Sequence, residues 1–379
     1  MSGLRVKLKP PFKLTPAATH LLAAALGAGL LAIGCWLWRA GGTPSAIPPD
    51  PDRTAPENYS WQKQPAPVFP IPPYAVHLAE ARIVLDPGHG GHGGRPNWKC
   101  GPTGLREAEV NLRVAQYLRE FLVTAGAEVH MTRDADVYLA PDTQSDNRLR
   151  VALANRLRAD LYLSIHHNGS DKAQPNYTAL FYHGAPDHNP ASLCAARHIL
   201  TGLNDALRLE QHLPCALLSD SLLARQGLQV LREARVPAVL SESCFHSNPE
   251  QERRLRAPVY CRREAYGYFL GLARWAQAGL PRVRLVPPTR GARRVAVELD
   301  DGLTARSGWG HELDKIVAGS LVVRVNTQPV PFTYDSFSQR VWFDAPNPEG
   351  ANPPRIYVDF ENIFGQHVLH PRFELSPGR

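Results

Sequence analysis

Two domains of different class are predicted for this 379-residue chain. The first is a doubly wound, mostly parallel α/β domain over 80–280, and the second is an all-β, sandwich-like module over 288–379. Strand-like and helix-like runs alternate from residue 80 to 276, which is the pattern of stacked βα units. After 288 only short runs of alternating apolar and polar residues remain. Ahead of both, ten prolines fall within 41–80, a composition that stays extended and semi-rigid.

"ARIVLD" (81–86) reads as a buried strand halted by the Asp86-Pro87-Gly88 turn. "EVNLRVAQYLREFLVTAG" places Val110, Val114, Leu118 and Leu122 on one helical stripe and closes at Gly126, a residue suited to ending helices. "AEVHMTR" is a strand. "DNRLRVALANRLRA" is a helix expected to turn Leu149, Ala152, Leu153 and Leu157 inward. "DLYLSIHHN" is a strand running into a turn. "YTALFYH", a helix over 191–207, the strand "VPAVLSES" and one long helix from about 249 to 276 complete the unit. Beyond it, "RRVAVELDD", "SLVVRVNTQPVPF", "RVWFD" and "RIYVDFENIF" suit a small, immunoglobulin-like sandwich. Such a module could take cell-wall polymer or division proteins as partners, or pack as a stabilising cap.

The amino terminus carries Arg5, Lys7, Lys9 and Lys13 ahead of Leu21–Trp38, which holds no charge. About 18–20 apolar residues cross a bilayer as one helix, and the basic flank stays in the cytoplasm. The expectation is a cytoplasmic segment over 1–20 and a single-pass signal anchor in the inner membrane over 21–38. A Pro-rich linker follows over 39–79, with the remainder facing the periplasm or outside. A cleaved signal peptide, or a lipoprotein acylated at Cys35, is the competing reading.

The net charge of +7 suits an anionic partner. No long Lys/Arg run with interleaved aromatics is present, so nucleic acid is not expected as a partner. Six cysteines, five of them outside the apolar segment, leave at least one unpaired within the chain. No C-x-x-C pair exists to form a cysteine zinc knuckle.

In open α/β sheets ligands gather at the carboxyl ends of strands. His89 follows the strand 82–86, His166 ends 161–165, and Glu242 ends 237–241; Glu107 stands just before a helix start in the loop after the first strand. Two imidazoles and a carboxylate make a zinc set of the hydrolase type with one position left for water, and Glu242 is then the spare base. Each residue also has a plain reading: a turn histidine, one of an adjacent histidine pair, a carboxylate at a helix N-terminus, a surface acid. Their arrival on one sheet edge favours the metal site, and the glycines beside His89 would permit close backbone approach.

"IVLDPGHGG", "TGLREAEVNL", "LYLSIHHN" and "VPAVLSESCFHSNPEQE" together resemble, in order, the motifs of the zinc-dependent N-acetylmuramoyl-L-alanine amidases of the Amidase_3 type, over about 80–278. The resemblance implies a doubly wound α/β fold and one Zn²⁺ per chain on His89, Glu107 and His166. It further implies Glu242 as the catalytic glutamate, and hydrolysis of the amide joining the lactyl group of N-acetylmuramic acid to L-alanine in peptidoglycan. Against the family pattern, His167 replaces a small residue, and Ser241, Cys244 and His246 stand where aliphatic residues and Gly are usual. The stretch "HGGRPNWKCGPTG" brings His92, Trp98 and Cys100 near the site. Asn168, His92 and His246 are the candidate substrate-binding residues. A zinc peptidase acting on the stem peptide, and an inactive cell-wall-binding or scaffold protein, are the other readings.

Overall fold

The computed structural model describes residues 68–91, 99–185, 188–286, 294–303, 315–345 and 353–375. The expected anchor, the lipoprotein cysteine and most of the Pro-rich linker, as well as His92 and Trp98, lie outside these residues. Among the described residues no helix is long and apolar enough to cross a membrane.

A 3₁₀ turn, Pro73–Glu80, leads into β1 (Arg82–Pro87). Then come α1 (Glu107–Thr124), β2 (Glu128–Met131), α2 (Thr143–Leu157), β3 (Leu161–Asn168), β4 (Ala179–Tyr182) and α3 (Ala191–Leu207). β5 (Leu217–Ser219), α4 (Gln229–Arg232), β6 (Ala238–Phe245), α5 (Pro249–Leu255) and α6 (Pro258–Gln277) complete the α/β unit. The six strands are ordered β2-β1-β3-β6-β4-β5. Every pair is parallel except β4 with β6.

Both faces of this sheet are covered, as a parallel sheet requires. Alternate residues of β1 divide between the two cores. Ile83 and Leu85 pack with the predicted α1 stripe (Val110, Val114, Leu118, Leu122) and with Tyr268, Phe269 and Trp275 of α6. Val84 faces the other way, against Val151 and Ala154 of α2 and Leu231 of α4.

Three expectations about this unit are corrected. The closing helix is broken: Ala257 is extended (φ −81°, ψ 120°) ahead of Pro258, because a proline ring disfavours helical backbone at the preceding residue. α2 turns only part of its expected face inward: Leu153 and Leu157 pack against the core. Leu149 is 50% exposed and Ala152 is exposed too, whereas Asp146, Arg150, Val151 and Ala154 are buried. An electrostatic partner shares that face with the apolar side chains: Arg150 is drawn under the sheet by Asp86 at 2.8 Å and by Asp146 at 2.6 Å. Finally, His166 and Glu242 lie inside β3 and β6 and not at their ends, paired with each other in register.

The β module begins before 288, since β7 (Arg282–Val286) already pairs with β8 (Arg294–Asp300). With β11 (Phe332–Asp335) and β12 (Arg340–Asp344) these form one antiparallel sheet, ordered β11-β12-β8-β7. β9 (Val322–Val325), β10 (Gln328–Pro329), β13 (Arg355–Asp359) and β14 (Arg372–Glu374) form a second, ordered β10-β9-β13-β14. Val297, Val323, Val341, Phe343, Ile356 and Val358 fill a shared core. The module is joined to the α/β unit by Leu369, buried in that unit's core, and by the Arg282–Asp160 ion pair. No disulfide joins any two of the five described cysteines, Cys100, Cys194, Cys215, Cys244 and Cys261.

Candidate active site

The turn after β1 is a fixed cradle for His89. Two buried arginines hold its carbonyls. Arg133 donates to Pro87 O and Gly88 O at 2.8 and 2.9 Å, and Arg150 donates to Pro87 O and His89 O at 2.9 and 2.7 Å. These bonds keep His89 in the left-handed region, φ 60°, a conformation that costs a non-glycine residue about 1–3 kcal/mol. Gly88 is required for space: a Cβ there would stand 2.1 Å from the His166 ring. Gly90, at φ 151°, could carry no side chain either, since Val137 O lies 2.1 Å from where the Cβ would be.

That cradle sets His89 against two groups from elsewhere in the chain. His89 Nε2 is 3.1 Å from Glu107 Oε2, and His166 Nδ1 is 3.0 Å from Glu107 Oε1. The two imidazoles meet edge to face with centroids 4.7 Å apart. The three donor atoms lie within 4.8 Å of one another. Zinc–ligand bonds of about 2.0–2.2 Å imply tetrahedral edges of roughly 3.3 Å, so this His₂Glu set fits zinc in donor type and spacing. Burial alone would raise the Glu107 pKa, but the His89 charge and hydrogen bonds from both imidazoles hold it well below the usual carboxylate range. Glu107 is therefore a ready anionic ligand. Replacing His89 by Ala is expected to leave the fold intact and to abolish zinc retention, read as metal per chain after dialysis; full occupancy in that variant would mean the ligands are misassigned.

Glu242 shares a face with His166, because parallel register partners project to the same side of a sheet. Its Oε2 is buried and has no hydrogen-bond partner. Burial and the neighbouring Glu107 charge push its pKa well above the usual carboxylate range, against the pull of His167 and Lys99. A buried carboxyl with an orphaned oxygen beside a metal set is placed to exchange protons.

Behind the ligands runs a network that sequence reading did not assign. Asn111 stands four residues after Glu107, hence on the same helix face. Its Nδ2 donates to Gly88 O at 3.2 Å and to Glu107 Oε1 at 3.3 Å, which leaves Oδ1 to accept from His167 Nδ1 at 2.7 Å. The other His167 nitrogen meets Glu264 Oε2 at 3.1 Å, both side chains fully buried. Burial would lower the His167 pKa, but Glu264 and Cys244 hold it well above the usual histidine value. His167 thus points away from the site, as strand alternation demands of a neighbour of His166. It forms a buried ion pair whose Asn111 end steadies Glu107. Only the i, i+4 spacing of Glu107 and Asn111 signalled this in the sequence; Glu264 is 97 residues from His167. Asn111→Ala is expected to weaken zinc affinity about 10–100-fold, the usual cost of losing such an outer partner, measured by chelator competition on folded protein.

Of the candidate substrate residues, His246 is 3% exposed, and its Nδ1 donates to His167 O at 3.0 Å. Asn168 Oδ1 accepts from the next residue's N–H, Gly169 N, at 2.8 Å. These bonds fasten the end of β3.

The family model for Amidase_3, N-acetylmuramoyl-L-alanine amidase, matches residues 83–274. The chain belongs to the Amidase_3 family. Its match spans β1 to α6 and so includes all four site residues. Among its relatives, this Amidase_3 chain is 32% identical over 214 residues to the germination-specific N-acetylmuramoyl-L-alanine amidase of Bacillus subtilis, covering 54% of this chain and 83% of that protein. It is 27% identical over 259 residues to N-acetylmuramoyl-L-alanine amidase AmiC of Escherichia coli O6:H1, with 59% of each covered. The solved AmiC2 amidase of Nostoc punctiforme aligns with a TM-score of 0.44 at 24% identity, over 52% of this chain and 98% of that one.

Proposed function

We propose that this Amidase_3 domain hydrolyses the amide between the lactyl group of N-acetylmuramic acid and L-alanine in peptidoglycan. The observation that carries the reading is the convergence of His89, Glu107 and His166, donor atoms within 4.8 Å, beside the orphaned carboxyl oxygen of Glu242. Zinc on these ligands would acidify a water toward pKa ~7 and polarise the scissile carbonyl. Glu242 accepts a proton from the attacking water and returns it to the leaving amine of L-alanine, so one carboxyl serves as base and then as acid. Its raised pKa brings that exchange nearer neutrality. Glu107 stays ionised throughout, steadied by Asn111 and by the backbone N–H of His167 at 3.2 Å. The Arg133 and Arg150 contacts hold His89 still.

On the same reading, the uncharged segment 21–38 behind four basic residues anchors the chain in the inner membrane, with the hydrolase domain outside. Mass spectrometry of products from purified muropeptides tests the central claim. Free lactyl termini with intact stem peptides are expected; cuts inside the stem would make the protein a peptidase, and unchanged muropeptides with zinc bound would end the hydrolase reading.

A further inference from the structure

At the amino ends of β3 and β6, the opposite end of those strands from the turn that carries His89, lies a cavity of about 890 Å³. Five arginines line it: Arg148 of α2, Arg158 at its carboxyl cap, Arg232 of α4, Arg235 just after, and Arg372 of β14. One acid lines it, Glu233, whose carboxylate accepts from Gln229 at 3.1 Å and lies 3.9 Å from the Arg232 guanidinium. The side chains of Arg148, Arg158 and Arg235 have no acidic partner among the described residues. Uncompensated like charges gathered round one concavity raise the local potential and draw in counter-ions.

The walls are built, not incidental. Asn155, also in the lining, donates through Nδ2 to Glu233 O at 3.0 Å and accepts through Oδ1 from Arg235 N at 2.7 Å. One side chain therefore staples α2 to the segment that carries Arg232 and Arg235. Arg232 is oriented by Gln226 O and Gly227 O at 3.1 and 2.9 Å, and Arg372 lies over the Tyr357 ring. Arg158 is held at a left-handed helix cap, φ 49°.

We propose that this cavity is a binding site for a ligand bearing closely spaced phosphate groups. Guanidinium forks pair with phosphate oxygens two at a time, and the volume is that of a small-molecule site, ~300–1,000 Å³. The cavity is lined from both the α/β unit and the β module, so its occupant would also bridge them. It does not depend on the proposed hydrolysis.

Titration calorimetry of the full chain with sodium tripolyphosphate tests it. Wild type is expected to bind, more weakly as salt rises. The double variant Arg158→Ser/Arg235→Ser is expected to bind at least about tenfold more weakly, for the loss of charge-assisted hydrogen bonds. Arg148→Glu provides a second variant, and Arg225→Ser, exposed and outside the lining, the control. No binding by wild type, or an equal loss in Arg225→Ser, would overturn the assignment. Vesicles with and without phosphatidylglycerol separate the sources. Displacement of tripolyphosphate by anionic vesicles alone marks a lipid headgroup as the phosphate donor. Undisturbed binding marks a soluble phosphate compound.

Discussion

Glu242→Gln is expected to fold, to hold one zinc per chain and to hydrolyse muropeptides ~10²–10⁴-fold more slowly, the range over which a positioned acid–base group contributes. The amide keeps the shape of the side chain but can neither take the water's proton nor return it. The His89 and His166 imidazoles hydrogen-bond Glu107 and not Glu242, so the metal set should survive. Relief from burying a carboxyl next to the Glu107 charge should leave the thermal midpoint equal or higher. The pairing of lost turnover with retained metal distinguishes a proton carrier from a structural acid. Near-normal product release, followed by mass spectrometry, would remove Glu242 from the reaction.

Asp86→Asn should be among the most destabilising single changes in the α/β unit. The carboxylate is 1% exposed and accepts four hydrogen bonds: from Arg150 at 2.8 Å, Thr132 at 2.6 Å, Tyr162 at 2.6 Å and Ser164 at 2.7 Å. An amide cannot accept all four and would set its own N–H groups against a donor. Removing one partner of a buried pair leaves the other charge uncompensated, a loss of about 3–5 kcal/mol, large beside a total stability of roughly 5–15 kcal/mol. Burial alone would raise the Asp86 pKa, but Arg150 and the three hydroxyls hold it well below the usual carboxylate range. The folded pKa is depressed, so this contribution is complete above the unfolded value near ~3.9. It drains away as pH falls from there through the folded value. Urea midpoints measured from neutral pH downward should fall steeply for wild type and less steeply for the variant. Because Arg150 also grips His89 O, zinc affinity should drop with stability; an unchanged urea midpoint at neutral pH would show that the network carries no stability.

Much of the α/β unit was legible because its signals are local. The α1 stripe is entirely buried, and α3 begins and ends at the expected residues. α2 was legible at Leu153 and Leu157 but not at Leu149 and Ala152, because hydrophobic periodicity assumes that burial follows apolarity, and there a buried arginine shares the face. The broken closing helix carried its own signal in Pro258, which the apolar pattern on either side masked.

What the sequence determined by itself is the alternation of strand and helix, the turn that must be glycine-rich around His89, and the identity of the four chemical groups: those depend on residues near one another in the chain. Tertiary structure alone decided that Arg150 turns inward to Asp86 across 64 residues, that His167 is claimed by Glu264 across 97, and that five arginines from three separate segments border one cavity. Charge pairing is a matter of distance in space, and no periodicity along the chain encodes which distant partner a buried ion will find.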